Sequence, residues 1–108
     1  MAILRIWRGF TTPEKADGYE DLLRTTHFPR LAAKGIPGFR RIELVRRNEG
    51  DLVEFRTLMW FDDLASVSAY AGPDISRAAL APGAETLLTQ PDPFVAHFEI
   101  PLSVDSRP

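Results

Sequence analysis

The chain has 108 residues, no cysteine and a formal net charge of −2 at pH 7, with 44% hydrophobic and 26% charged residues. This composition is typical of one globular domain and excludes a disordered chain, a disulfide framework and thiol chemistry. The small negative charge does not favour polyanion binding, and no apolar run is long enough to cross a membrane. Residues 1–5 lack the pattern of a signal peptide, so we expect a cytoplasmic protein with no membrane partner.

The first third of the chain predicts a strand followed by an interrupted helix. Residues 3–10 are rich in β-branched and aromatic side chains, which favours a strand. Thr12, Pro13 and Glu14 form a helix start with a hydroxyl cap, a proline in the first turn and an acid behind it. Pro29 should interrupt this helix and leave a short second segment that ends at Gly35.

The rest of the chain predicts a hairpin, a second helical region and a last strand. Strands over 39–47 and 52–61 are joined by a polar turn, and an aspartate caps a helix over 64–71. Residues 75–88 predict two short helical pieces broken by Pro82-Gly83, and 94–100 predict the last strand. The order β-α-β-β-α-β predicts an α+β, ferredoxin-like domain over 1–102, with four antiparallel strands and helices on one face. We expect residues 103–108 to form a flexible tail.

Alternation along the predicted strands divides the sheet into two faces. One face is almost wholly apolar and is the expected seat of the helices: Leu4, Ile6, Phe10, Ile42, Leu44, Val53, Phe55, Met59, Phe61, Phe94, Ala96, Phe98 and Ile100. The second face is mixed: Ile3, Arg5, Trp7, Phe39, Arg41, Glu43, Val45, Leu52, Glu54, Arg56, Leu58, Trp60, Val95, His97 and Glu99. Because the helices can cover only one face, we expect the second face to pair with a second copy in a homodimer.

Few residue patterns point to chemistry. The two histidines, His27 and His97, lack the spacing of a metal site, and we interpret both as structural residues. No serine lies in a nucleophile elbow, and no glycine loop precedes a helix in the manner of a phosphate site. The arginines of 40–47 lie beside an aromatic residue, but acidic neighbours dilute their charge, so we predict no nucleic-acid binding.

An apolar cavity between sheet and helices is the remaining candidate site. Its predicted walls are Tyr19, Phe55, Met59, Phe61, Tyr70, Phe98 and the alanines of 78–84. Small alanines in this region would leave room for a flat hydrophobic ligand. The alternative is that the same side chains only pack as core.

Six segments carry a resemblance that covers nearly the whole chain. They are residues 6–9, 35–40, 53–55, 61–64, 70–74 and 97–100, with the sequences IWRG, GIPGFR, VEF, FDDL, YAGPD and HFEI. In their order and spacing the chain resembles the antibiotic biosynthesis monooxygenase-like family of the dimeric α/β-barrel superfamily. The resemblance implies a ferredoxin-like fold whose sheets pair into a barrel.

The resemblance also implies candidate functions. Relatives include monooxygenases that oxidise phenolic substrates without a cofactor, and heme-degrading enzymes, and a tryptophan near the end of the third strand matters in both. Here that position is Phe61, and Trp60, one residue earlier, should face the opposite side. No histidine lies between 64 and 89, where heme-degrading relatives have one, so the resemblance favours the cofactor-independent oxidation of a small aromatic molecule.

The implied site has two groups of residues. Tyr70 and Arg77 would be catalytic, with Tyr70 bonding to the substrate oxygen and Arg77 stabilising a phenolate. Phe55, Met59, Phe61, Phe98 and Tyr19 would bind the ring, and no metal or other cofactor would be needed. Two alternatives stay open: a non-catalytic protein that binds a small ligand on the same scaffold, and a lyase similar to polyketide cyclases.

Overall fold

A computed structural model describes residues 1–107 of the chain. The strands are β1 (Ile3–Thr11), β2 (Phe39–Glu49), β3 (Leu52–Phe61), β4 (Gln90–Pro91) and β5 (Ala96–Glu99). The helices are α1 (Pro13–Leu22), α2 (Phe28–Ala33) and α3 (Leu64–Ala71), with a π-helical turn over Leu23–His27 and a 3-10 turn over Ala84–Thr86. None of the helices in the described part of the chain could span a bilayer. The predicted tail ends at Pro108, which lies outside the described residues.

The sheet confirms the predicted ferredoxin-like α+β fold. All its strand pairs are antiparallel, with β3 between β2 and β1, and with β4 and β5 both pairing to the far side of β1. The hairpin between β2 and β3 is tighter than predicted, because Glu49 already pairs with Leu52. Gly50, at φ +61°, supplies the left-handed residue that this two-residue turn needs. The short strand β4 was not predicted.

The helical region around Pro29 is continuous rather than broken. The π-helical turn Leu23–His27 joins α1 to α2, and the backbone N–H of Phe28 bonds to the carbonyl of Leu23. Proline has no N–H to donate, and the wider turn before it accommodates this loss without ending the helix. The chain therefore keeps its direction through His27, and α2 ends at Ala33, close to the predicted end at Gly35.

The long segment from Gly72 to Val95 differs most from prediction. The expected helical piece before Pro82 is wrong: residues 78–81 form no helix, and the 3-10 turn Ala84–Thr86 is the only helical structure between α3 and β4. Backbone bonds nevertheless attach the segment to the sheet, with Thr89 N–H donating to Phe10 O at 2.9 Å and Asp92 N–H to Arg8 O at 3.0 Å. The alanines therefore form a wall of irregular backbone.

Strand pairing corrects the predicted division of the sheet into faces. The predicted inner and outer residues of β1 and β5 are reversed, whereas those of β3 are right. In β2, Phe39 was predicted on the outer face but lies on the inner one, because the register shifts between Phe39 and Arg41. Ile3, Arg5 and Trp7 lie opposite Phe61, Met59 and Thr57 on the face that the helices cover. Leu4 and Ile6 lie opposite Trp60 and Leu58 on the other face, together with Phe98 and Ala96 of β5. Both faces of β1 are apolar, so alternation alone could not tell which of them receives the helices.

The face away from the helices, called the outer face below, keeps the mixed character that was predicted for it. Its apolar members are Leu4, Ile6, Phe10, Val45, Leu58, Trp60 and Phe98, and Phe98 is 54% exposed. Glu54 accepts hydrogen bonds at 2.7 Å from both Arg47 and Arg56, and Arg41 bonds to Glu43 at 2.5 Å. An apolar surface with charges of both signs is thus open on the isolated chain.

Two buried clusters fill the space between the sheet and the helices. One lies under α1 and joins Trp7, Tyr19 and Phe55 to the last part of the long segment through Ala84 and Leu88. The other lies under α3 and includes Ile3, Leu31, Met59, Phe61 and Val67. Packing is incomplete at the boundary between the two clusters.

Candidate functional site

A cavity of about 50 Å³ lies between the inner face of the sheet and the helices, where the two clusters meet. Its apolar walls come from the sheet (Trp7, Ile42, Met59, Val95), from the helical layer (Leu23, Phe28, Leu31) and from residues 78–81 of the long segment. Its polar groups belong to Arg5, Tyr19, His27, Thr57 and Tyr70. No carboxylate lines it within residues 1–107.

Arg5 is the charged residue of this cavity and is 4% exposed. Its Nη1 donates to Ile75 O at 2.7 Å and to His97 Nε2 at 2.9 Å, and its Nη2 makes a longer contact of 3.4 Å with Arg77 O. Burial lowers the pKa of Arg5 from its ordinary value. Backbone carbonyls and an imidazole, rather than a carboxylate, therefore hold this guanidinium.

The contact with Arg5 defines the tautomer and the charge of the His97 ring. A guanidinium can only donate, so His97 Nε2 must be the accepting nitrogen, and the ring proton is on Nδ1. Burial, and then the nearby charge of Arg5, lower the pKa of His97. His97 is therefore a neutral ring that orients Arg5, which agrees with its interpretation as a structural residue.

Two tyrosines, one from α1 and one from α3, line the cavity. Tyr70 packs its ring against both Phe39 and Phe61, at centroid distances of 6.5 and 5.8 Å, and the Arg5 guanidinium lies 5.4 Å from its ring centroid. Tyr19 meets Phe55 edge to face at 4.8 Å. Burial raises the pKa of both hydroxyl groups, so both are neutral hydrogen-bond donors at physiological pH.

His27 brings an unsatisfied polar atom to the cavity. It ends the π-helical turn, and its Nδ1 is buried without a hydrogen-bond partner among the described residues. Burial lowers its pKa first, and the positive charges of Arg30 and Lys34 lower it further. A buried ring nitrogen without a partner is unusual in a folded protein and marks a place where a ligand or water can bond.

The structure brings together only part of the predicted site. Tyr19, Met59 and Tyr70 line the cavity. Phe55 and Phe61 are fully buried behind the tyrosine rings. Phe98 lies on the outer face, for the reason of strand register given above, and the side chain of Arg77 is 67% exposed, with Asp74 at 3.5 Å. Arg77 reaches the site only through its carbonyl, which accepts from Arg5.

Sequence reasoning missed Arg5, Trp7 and His27 as cavity residues. The signal that could have placed the first two is the pattern Trp7-Arg8-Gly9. A Cβ on Gly9 would lie 2.9 Å from Cζ2 of Trp7, so this indole needs a glycine beside it on the same face. A tryptophan that lies over a glycine in a strand is typical of a side chain packed flat under a second layer. The indole N–H also bonds to Asp92 O at 2.7 Å.

Comparison with solved structures gives relatives in fold. A Bacillus cereus protein classed provisionally as an antibiotic biosynthesis monooxygenase superimposes with a TM-score of 0.69 at 8% identity, over 100% of this chain and 99% of that chain. SnoaB, a cofactor-independent oxygenase from Streptomyces nogalater, has a TM-score of 0.54 at 22% identity, over 95% of this chain and 96% of SnoaB. MhuD, a heme-degrader from Mycobacterium tuberculosis, has a TM-score of 0.58 at 19% identity, over 95% of this chain and 99% of MhuD.

These likenesses confirm the resemblance to antibiotic biosynthesis monooxygenases at the level of the fold. The solved neighbours include proteins named as monooxygenases, a cofactor-independent oxygenase and a heme-degrader. No protein-family model and no curated protein matches the sequence. Because the sequence identities are at most 22%, these neighbours establish a shared fold but not a shared chemistry.

Proposed function

We propose that the chain is a monooxygenase that oxidises a small aromatic or phenolic molecule without a cofactor. The observation that carries this proposal is the apolar cavity between sheet and helices, in which a few polar groups converge from both layers. Such a combination is the usual form of a small-molecule site. The shared fold with a cofactor-independent oxygenase supports the same reaction class.

In the proposed reaction the protein mainly orients the substrate and excludes water from it. A phenol and dioxygen give a quinone and water: one oxygen atom becomes the second carbonyl, the other leaves as water, and the substrate supplies all four electrons. Tyr70 would donate a hydrogen bond to the substrate oxygen, while Tyr19 and Met59 would hold the ring. Exclusion of water and fixed orientation would favour attack on dioxygen over side reactions.

The size of the cavity implies that its wall moves when a substrate enters. An apolar cavity of roughly 150 Å³ holds a single benzene ring, and sites for larger molecules are roughly 300–1,000 Å³. The cavity here is about 50 Å³. The irregular wall at residues 78–81 lacks the hydrogen-bonded frame of a helix or strand, so its outward movement is the simplest way to enlarge the site.

The test is oxidation of 1-naphthol under air and under nitrogen, followed by quinone absorbance and oxygen uptake. We expect quinone to form only in air, with one dioxygen consumed for each quinone. Tyr70→Phe should lower the rate, and Arg77→Met, which changes an exposed side chain, should not. If 1-naphthol binds but gives no quinone in air, the protein is a non-catalytic ligand-binding protein, the alternative left open by the sequence. A lyase would instead convert its substrate equally well under nitrogen.

Heme does not fit the cavity as it stands. A porphyrin is several times larger than one aromatic ring, so it would require a far larger movement of the cavity wall than a phenol does. His27 is the one histidine that lines the cavity within the described residues. We therefore expect a hemin titration to give no shift of the Soret band.

We further propose that the outer face pairs with the same face of a second copy. Phe98 and Val45 are 54% and 42% exposed on the two outer strands of this face. Leu4, Ile6, Leu58 and Trp60 between them are only half-buried, so apolar side chains extend across the whole face. The arginines and glutamates around them carry both signs, so a two-fold arrangement can bring opposite charges together.

A further inference from the structure

The buried charge of Arg5 has no acidic partner within residues 1–107. The side chain lies on the inner face of β1 opposite Met59, and its polar contacts are two backbone carbonyls and the neutral ring of His97. A buried charge is costly unless it is paired, and truly buried arginines almost always face a carboxylate. This cavity thus has a fixed positive charge that its own side chains do not neutralise.

The guanidinium also has donors to spare. It carries five N–H groups, and the three bonds described above use both hydrogens of Nη1 and one of Nη2. The Nε–H and the second Nη2–H have no partner among the described residues. The fork geometry of a guanidinium matches two oxygens of an anion better than it matches a single carbonyl.

The surroundings of the cavity strengthen this positive character. His27, which lines the same cavity, has a buried Nδ1 without a partner among the described residues, and Arg30 and Lys34 are the charged groups that act on it. The ring of Tyr70 lies beside Arg5, and its hydroxyl is a neutral donor. Every titratable side chain of the cavity wall is therefore positive or neutral.

We infer that the cavity selects an aromatic monoanion, with the charged oxygen of the ligand on Arg5 and its ring against Met59 and Leu23. This inference rests on the cavity being the binding site, as proposed above, and it adds the charge of the ligand. Carboxylates and phenolates share the required chemistry. A neutral analogue of the same shape would leave the guanidinium buried without its partner and would bind more weakly.

The first test uses the unaltered protein under nitrogen, so that no oxidation occurs. Isothermal titration at pH 7.5 compares 1-naphthoate with the neutral 1-naphthalenemethanol, and a third titration uses pentafluorophenolate. A hydrogen bond to a charged group contributes roughly 1.5–3 kcal/mol, so we expect at least one anion to bind about 10-fold or more tightly than the alcohol. Tighter binding of the carboxylate or of the phenolate identifies which anionic group the site prefers in its ligand.

Substitutions then assign the preference to one residue. Arg5→Met should abolish it, Arg5→Lys should retain part of it, and the matched change Arg40→Met, at an exposed arginine outside the cavity wall, should leave it intact. Equal binding of the anions and the alcohol, or no binding of any of them at millimolar concentration, would overturn the inference. Naphthoate binding without any phenol oxidation would refute the proposed catalysis and leave the anion site in place, whereas oxidation of neutral phenols without anion preference would do the reverse.

Discussion

At the scale of single residues, the close approach of Trp7 to Gly9 is a packing requirement that can be tested directly. The indole lies over the glycine and is tied to Asp92 O, so a methyl group on residue 9 would push it away. Overpacking of this kind costs about 1–3 kcal/mol, and we expect Gly9→Ala to lower the free energy of unfolding in urea by that amount.

The matched control for this substitution is Gly18→Ala in α1. The nearest atom to a Cβ there is Leu87 Cδ2 at 3.4 Å, an ordinary contact, and the residue is exposed in the middle of a helix. Alanine should stabilise the protein by about 0.4–1 kcal/mol through helix propensity and reduced freedom of the unfolded chain. Equal effects at the two positions would contradict the packing argument.

The neutral state of His97 predicts a dependence of stability on pH. Its pKa in the folded chain lies below the ordinary value of 6.5, so the unfolded chain takes up a proton first as the pH falls. The stabilisation is therefore complete above pH 6.5 and decreases as the pH approaches the lower folded value. His27, whose pKa is also lowered, acts in the same direction.

His97→Asn should reduce this dependence. An amide oxygen can still accept from Arg5, but it does not titrate, so thermal melts between pH 8 and pH 5.5 should change less than those of the unaltered protein. The carboxylates whose pKa is lowered, such as Glu20 and Glu54, lose their stabilising effect only at a pH below this range, so they do not affect the comparison. An unchanged slope would show that His97 is not the titrating group.

At the scale of elements, the irregular wall of the cavity predicts how ligand affinity can be changed. Ala78 lines the cavity and is fixed by a bond from its N–H to Pro93 O at 2.9 Å. Ala78→Val would add two methyl groups to a space of about 50 Å³. We expect 1-naphthoate to bind about 10-fold or more weakly, because an extra methylene in a tight pocket costs that much.

The control for this substitution is Ala33→Val at the exposed end of α2. It carries the same change outside the cavity, so naphthoate affinity should stay as it was. Thermal melts of both variants would separate a filled cavity, which keeps or raises the melting temperature, from a damaged fold.

The same elements show how far sequence reasoning reaches. Patterns that depend on neighbours along the chain were predicted correctly: the helix start at Pro13, the hairpin at Gly50, and α3, whose capping Asp63 accepts from Ser66 N–H at 2.8 Å. The hydroxyl cap predicted at Thr12 is wrong, since its side chain makes no capping hydrogen bond. The helical piece predicted before Pro82 was wrong, because helix propensity could not compete with the backbone bonds of this piece to residues 93–95 and with the bonds of Arg5 to its carbonyls.

The site itself was predicted in part, and the alanines expected in its wall include three that line the cavity, Ala78, Ala79 and Ala81. Tyr19, Met59 and Tyr70 line the cavity, and Trp60 faces away from it, as expected. Arg5 was predicted on the outer face and lies on the inner one, and the reverse holds for Phe98. The reason is that both faces of β1 are apolar and the more apolar face points away from the helices. Burial against a second protein and burial against a helix leave the same pattern in a strand.

At the scale of the whole molecule, the outer face predicts the assembly state. We expect light scattering to give twice the chain mass of 12.1 kDa. Leu58 lies in the centre of this face, paired with Ile6 and Glu43, so Leu58→Glu should give single chains by placing a charge among apolar side chains.

Val104→Glu is the matched control, since Val104 is 79% exposed near the end of the chain. It should leave the mass unchanged. A mass of one chain for the unaltered protein at micromolar concentration would show that the outer face stays open to water.

The position of the two tryptophans on opposite sides of the sheet gives the protein a pair of separate optical reporters. Trp7 borders the cavity, and Trp60 lies on the outer face with Arg41 5.5 Å from its ring. In Trp60→Phe the remaining emission reports on what enters the interior, and in Trp7→Phe it reports on what covers the exterior. Ligand uptake and self-association can thus be followed independently, without attaching a dye.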